Sequence, residues 1–381
     1  MKRILIIGGY GNFGSYIARA LAGNPEIVLH IGGRSKVKAD AFANSLASAN
    51  PAHGCPIDID GDLGEAFARI KPNMVIHTTG PFQSQSYRVA EAAIAQRCHY
   101  ADLADARAFV SGIDSLDGAA QAADVLVVSG ASSVPCLTAA IVDEAMPRFR
   151  TLKALDYGIS AAQQTNRGLA TASSVLSYVG KPITTLRNGR MTQVFGWQGL
   201  YAERYPRLGL RLFGNCDVPD LEIFPQRYPS LQTINFGAGH EIKLLHLGAW
   251  LLSWLVRLGV IRSLAPHAEG LLRASFLFDP LGTSTSAFHM KLSGVGADGT
   301  ARFERFYMIA RSGDGPLIPC MPAILLARRF AAGQLMERGA RACLDLVDLD
   351  EYLDALADLD IEVLRSPPGF ASSARSAKAA G

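Results

Sequence analysis

The residues that could carry chemistry begin almost at once. Gly9-Tyr10-Gly11-Asn12-Phe13-Gly14 is a Gly-x-Gly-x-x-Gly that follows the apolar run Ile4–Ile7 and opens an amphipathic stretch. Glycines are common in turns, so the pattern alone says little. Between a strand and a helix it describes a phosphate cradle. Gly9 would permit the tight turn, Gly11 would let a pyrophosphate approach the backbone, and Gly14 would let the helix pack on the strand. The N–H groups of Asn12 and Phe13 would then face the phosphates at a helix N-terminus, where a partial positive charge favours anions.

The next strand bears on which dinucleotide would fit. NAD enzymes place an Asp or Glu about 20 residues beyond the glycines, on the ribose 2′-hydroxyl. Here the stretch reads His30-Ile31-Gly32-Gly33-Arg34-Ser35, with no carboxylate. Arg34 offers a planar fork suited to a 2′-phosphate, with Ser35 beside it, so the chain is predicted to take NADP. A solvated surface arginine is the alternative. Thr79-Gly80-Pro81-Phe82 should pass close to the ribose and nicotinamide. Tyr100 and Asp102 are the candidate catalytic groups. Tyr100 would donate a proton or hydrogen bond; Asp102 would orient it, bind ribose, or merely cap the next helix.

The surrounding pattern says what must position these groups. Short apolar runs at Arg3–Ile7, Ile27–Ile31, Pro56–Ile59, Met74–Thr78, Cys98–Asp102 and Val125–Ser129 alternate with helical stretches. That is the signature of an α/β fold, a Rossmann doubly wound parallel sheet, over residues 1–150. Residues 151–315 mix strand-like pieces with glycine- and proline-rich turns and read as a second, α+β substrate domain. A helical segment, 316–365, should pack back on the first domain, and 366–381 should form a frayed tail. The loops after the fourth, fifth and sixth strands, the last being Ser129–Pro135, should converge at one sheet edge. The second domain should close over them, with a wall near Phe195–Trp197 for an apolar substrate or Arg187–Arg190 for a carboxylate. Arg167 is a further carboxylate clamp and His240 a further general acid, each more simply read as structural.

With these residues in hand, the sequence resembles the saccharopine dehydrogenase-like family (NADP-binding, reductase type). The resemblance lies in the glycine loop, Gly33-Arg34-Ser35, Thr79-Gly80-Pro81-Phe82, His99-Tyr100-x-Asp102-Leu103 and Gly130-Ala131-Ser132-Ser133-Val134-Pro135, and runs from Met1 to about Asp143. Gly315-Pro316-x-x-Pro319-Cys320-x-Pro322-Ala323 is similar to the family's returning C-terminal segment. The resemblance implies an NADP-binding Rossmann domain with an inserted substrate domain. Many relatives carry Gly-Glu after the Asp-Leu; this chain has Ala104-Asp105.

Composition narrows the partners. Lys plus Arg number 37 against 34 Asp plus Glu, a net charge of +3 without a basic run, which gives no footprint for nucleic acid. The six cysteines are scattered, without C-x-x-C spacing, so no metal site is expected and a reducing, cytoplasmic setting is. Residues 244–261 are apolar and nearly long enough to span a bilayer. At helical spacing, however, His246, Ser253 and Arg257 share one arc while Gly248 and Gly259 share the opposite one. The simplest reading is a core helix with a polar seam and a small-residue contact face; a lipid or membrane contact through 244–261 and a homodimer stay open. The expected activity is hydride transfer between NADP and a small-molecule or lipid-like substrate, at C=N, C=C or C=O. The alternative is a non-catalytic NADP-binding sensor.

Overall fold

The computed structural model describes residues 1–366; the tail expected from residue 366 falls, from 367 onward, outside the described residues. The first domain is built as β1 (Lys2–Ile7), α1 (Asn12–Ala22), β2 (Ile27–Gly33), α2 (Lys36–Asn44), β3 (His53–Pro56) and α3 (Leu63–Ile70). It continues through β4 (Met74–His77), α4 (Arg88–Ala95), β5 (His99–Asp102), α5 (Arg107–Ser111), α6 (Asp117–Ala122), β6 (Leu126–Ser129) and α7 (Thr138–Ala145). β1 is apolar on both faces, with Ile4 to Ile7 all buried, as a strand covered by helices on both sides must be. β3 departs from the expected Pro56–Ile59. It pairs His53 to Pro56 with His30 to Gly33, and the chain then turns at Asp58, whose carbonyl accepts from Gly61 N–H at 3.1 Å.

The second domain follows as β7 (Phe149–Ala161), α8 (Leu169–Tyr178), β8 (Pro182–Arg187), β9 (Arg190–Phe195), β10 (Tyr201–Tyr205) and β11 (Gly209–Asn215). Then come α9 (Asp220–Arg227), β12 (Thr233–His240), α10 (Lys243–Arg257), α11 (Ala268–Phe276), β13 (Ser286–Gly296) and β14 (Ala301–Ala310). The chain ends with α12 (Met321–Ala331), β15 (Gly339–Ala342), α13 (Leu349–Asp354) and β16 (Ile361–Arg365). Two seven-stranded sheets result: a parallel one ordered β15-β6-β5-β4-β1-β2-β3, and a mixed one ordered β10-β11-β12-β7-β13-β14-β16. The order reverses between β1 and β4, the point where an open parallel sheet leaves a crevice at its carboxyl edge.

The last segment is more than a returning helix. α12 lies against α1 and buries Ile324, Leu326 and Ala327 completely, while β15 adds a seventh strand beside β6. β16 then rejoins the second sheet beside β14. One apolar core runs from Ile4 and Ile6 through α7, α9 and α12 to Leu152, Tyr157 and Met290 of the second sheet. A polar tie crosses the same boundary, where Arg227 pairs with Asp143 at 2.7 Å, and within the second domain Tyr157 donates to Asp220 at 2.9 Å.

α10 differs most from the sequence reading. Its polar positions His246 and Ser253 are wholly buried, whereas Leu244, Leu251 and Leu258 face outward. Gly248 and Gly259, expected to make a small-residue contact, have open space where a side chain would stand. The close contact is elsewhere. Gly180, at φ +70°, lies so near α10 that a Cβ there would stand 2.3 Å from the Ser253 carbonyl oxygen. A small residue is therefore needed on the inner seam.

Candidate active site

The glycine loop is held by packing that only glycine permits. The positive φ of the turn falls at Gly8, at +80°, one residue before the position expected from the motif; Gly9 is instead buried against Ile6 and Ile31. A Cβ on Gly14 would stand 2.2 Å from the Gly8 carbonyl oxygen, so the first turn of α1 presses directly on the turn after β1. Gly11 caps α1 in an extended conformation and makes no side-chain cap, which leaves the helix's first N–H groups without protein partners. Those orphaned donors, beside an exposed Gly11, fit a dinucleotide pyrophosphate. Phe13 contributes backbone only, since its ring packs against the core.

Arg34 stands just beyond β2, exposed and with no ion-pair partner among the described residues. Neighbouring Lys36 is tied to Asp40 at 2.6 Å. Ser35 caps α2 by accepting from Lys38 N–H at 3.3 Å, and its own N–H donates to the Tyr10 hydroxyl at 3.1 Å. No carboxylate of β2 faces this corner.

At the end of β4, Thr78 donates its hydroxyl to the Ile7 carbonyl at 2.9 Å and so stitches β4 to β1. The Thr79 hydroxyl lies against Gly8, and Gln85 holds the loop by donating to the Thr79 carbonyl at 2.7 Å and that of Pro81 at 3.1 Å. Gly80 comes close to Ala170 on α8. Phe82 points away from the crevice, buried on His77 and Phe109. A cofactor at this loop would meet backbone there, not the aromatic ring.

Tyr100 and Asp102 are brought close together but placed below the crevice. Tyr100 is 1% exposed and its hydroxyl meets His77 Nδ1 at 3.1 Å. Asp102 is fully buried, and its Oδ1 accepts from Gly130 N–H and Ala104 N–H, both at 2.9 Å, and from the Ser129 hydroxyl at 3.0 Å. An atom that a water cannot reach cannot touch a nicotinamide in the same cleft. In this arrangement neither presents an atom to the cleft, and Asp102 clamps the ends of β5 and β6. Burial, offset by those three donors, raises its carboxyl to about 6, and burial pushes the Tyr100 hydroxyl well above its ordinary value. Burial likewise lowers His77 to about 3, so its ring is neutral at pH 7.

Of the groups that meet across the crevice, only Asn12 was singled out from the sequence, and for its backbone rather than its side chain. Ser174, on the inner face of α8, donates to Asp105 at 2.9 Å; Gln83 donates to Asp105 at 3.2 Å and makes a short contact with Ser174. Burial raises the Asp105 carboxyl, against those two donors. Asn12 donates to the Asn166 carbonyl at 2.8 Å, and its Oδ1 is buried without a partner. Segment 166–174 thus roofs the loops after β1, β4 and β5. The one sequence signal was Ala104-Asp105, where relatives differ.

The other expected wall residues lie elsewhere. Arg187 and Arg190 face each other in the β8–β9 hairpin. Trp197 packs behind α8 on Val179 and Val256, and Arg257 covers the Phe195 ring at 3.9 Å. Arg167 is committed to Asp279, Ser275 and the Phe276 ring. His240 stacks on Trp197 at 4.8 Å, and burial together with His246 and Arg167 lowers it to about 4, a neutral ring at pH 7. All six cysteines are free and buried. Among the described residues no group of three or more His, Cys, Asp or Glu could hold a metal, and no helix is long and apolar enough to cross a membrane.

Residues 4–128, the segment that carries the cradle and the clamp, match the family model described as the saccharopine dehydrogenase NADP binding domain. The match covers about the first third of the chain, so the resemblance to that domain is a likeness of this segment. Among solved structures, apo saccharopine dehydrogenase (L-Glu forming) from Saccharomyces cerevisiae superposes with a TM-score of 0.65 at 13% identity, covering 96% of this chain and 100% of that one. The saccharopine dehydrogenase-like fold therefore extends over both sheets. Amine dehydrogenase from Mycobacterium smegmatis aligns with a TM-score of 0.48 at 9% identity, over 90% and 94% of the two chains. A probable dehydrogenase from Thermotoga maritima gives 0.46 at 8% identity, over 93% of each. No curated protein sequence matches. In the segment that matches this model, the glycine cradle and the switch point are the parts that would hold a nicotinamide dinucleotide.

Proposed function

We propose that this chain is an NADP(H)-dependent oxidoreductase of the saccharopine dehydrogenase-like type, acting at a C=N, C=C or C=O bond of a small-molecule or lipid-like substrate. The observation that carries the cofactor choice is Arg34: exposed, without a carboxylate partner among the described residues, at the end of a β2 that offers no acid to a 2′-hydroxyl. A bound nicotinamide supplies or accepts the hydride. The chain's own residues do the rest. The first N–H groups of α1 bind pyrophosphate, Thr78 and Asp102 fix the ends of four adjacent strands, and α8 excludes water from above.

The burial of Tyr100, Asp102 and His77 favours a second reading, a dinucleotide-binding sensor without turnover, since none of these groups presents an atom to the cleft. The two are separated by following NADPH oxidation with a panel of imines, enones and aldehydes. Steady turnover with any of them supports the oxidoreductase. Tight NADPH binding with no turnover across the panel overturns it in favour of the sensor.

A further inference from the structure

α10 is amphipathic with its polarity reversed. Leu244, Leu247, Leu251, Trp254 and Leu258 recur at helical spacing on the outward face, with Leu251 60% and Leu258 70% exposed, while His246 and Ser253 point inward. α11 and the turn after it extend the same surface through Phe276, Leu277 and Leu281. Of the seventeen large apolar side chains exposed on the described chain, ten lie between residues 244 and 281. Scattered exposed leucines need no explanation, but a contiguous field of them does.

Charge decides between the occupants. Lys243 and Arg262 stand around this field, exposed and without a carboxylate partner among the described residues, while Arg257 is turned onto Gln198 and the Phe195 ring. The one exposed acid of α11, Glu269, is already paired with Arg273 at 2.6 Å. A second copy packed antiparallel through α10 would set Lys243 against Arg262, with no acid to receive them. Two heptads are also too short for a stable helical seam. An anionic lipid surface meets both features. Leucine and aromatic side chains enter the acyl boundary, tryptophan sits at the headgroup level, and the basic side chains reach lipid phosphates. Trp250 and Trp254 lie together there, with ring centroids 6.2 Å apart.

We propose that the α10–α11 face docks this protein peripherally on an anionic bilayer. α8, the roof of the crevice, packs on the inner side of the same helix pair, so the docking face and the crevice share one wall. The docking does not depend on the cofactor reading.

The full chain would be mixed with phosphatidylcholine vesicles, with and without phosphatidylserine, and followed by co-sedimentation and tryptophan emission. Wild type is expected to sediment with the phosphatidylserine vesicles at low ionic strength, with a blue shift from Trp250 and Trp254. Leu251→Asp with Leu258→Asp should lower partitioning by more than about tenfold while NADPH binding, whatever its strength, is unchanged. Lys243→Glu with Arg262→Glu, confined to exposed positions, should lower it by roughly tenfold on phosphatidylserine vesicles alone. Absence of wild-type binding, or binding indifferent to both double variants, overturns the proposal. So does a dimer in sedimentation velocity that Leu251→Asp dissolves, because a second copy would then cover the face.

Discussion

At the scale of single residues, selectivity turns on the corner after β2. Lys36 is spent on Asp40 and Ser35 on capping α2, while Arg34, the residue directly after β2, stands exposed where a 2′-phosphate would lie. A hydrogen bond to a charged group contributes about 1.5–3 kcal/mol. Arg34→Ala is therefore expected to weaken NADPH by roughly 10- to 150-fold and to leave NADH nearly unchanged. Fluorescence titration with both cofactors measures it; equal losses would show that Arg34 does not read the phosphate. Asp102 works differently at this scale. Three donors converge on one of its oxygens, so its role is to set loop geometry beneath the cofactor.

Among elements, α8 matters most, because it brings the second domain over the crevice. Its hold is polar and local: Ser174 and Gln83 share Asp105, and Asn166 accepts from Asn12. Ser174→Ala leaves a half-buried carboxylate with one donor fewer, a loss of about 1–3 kcal/mol. The expected outcome is faster amide hydrogen exchange across Leu169–Tyr178, with protection of β1, β4 and β5 unchanged. Exchange in α8 equal to that of the parent would mean that the latch does not hold the roof. α10 illustrates the complementary case, in which the geometry of a neighbour, Gly180 against Ser253, dictates which face turns inward.

For the whole molecule, the two sheets share one core, and Asp220 lies in it, fully buried, accepting from Tyr157 of the second sheet. Burial raises its carboxyl from 3.8 to about 7, against the donors Thr138 and Tyr157. A carboxyl raised in the folded state contributes stability that is complete below pH 4 and is lost as pH rises through about 7. Relative to Asp220→Asn, which keeps the shape without the charge, wild type should thus lose melting temperature progressively between pH 4 and 8. Taking the difference cancels His77 and His289, whose lowered values act in the opposite sense. A difference that stays flat over this range would show that Asp220 is not titrating in the core.

The parallel sheet, its switch point and the cradle were legible because their causes are local. Continuous apolar runs such as Ile4–Ile7 can only be strands covered on both faces, and glycines at 11 and 14 are required by contacts within a dozen residues. Saccharopine dehydrogenase-like motifs added the expectation of a second domain, and the fold bears it out. Four of the seven strands of the second sheet were not legible: β16 fell in a segment read as helical, and β10, β11 and β12 depend on partners across strands, as Tyr205 does with His289 at 2.7 Å. Tyr100 and Asp102 were found by position but not by orientation, since a strand-end residue faces either cleft or core according to neighbours more than 25 positions away. Asp105 with Ser174, and the outward leucines of α10, were decided by tertiary structure alone. Helical spacing defines a face, but only what packs against it says which face is inside.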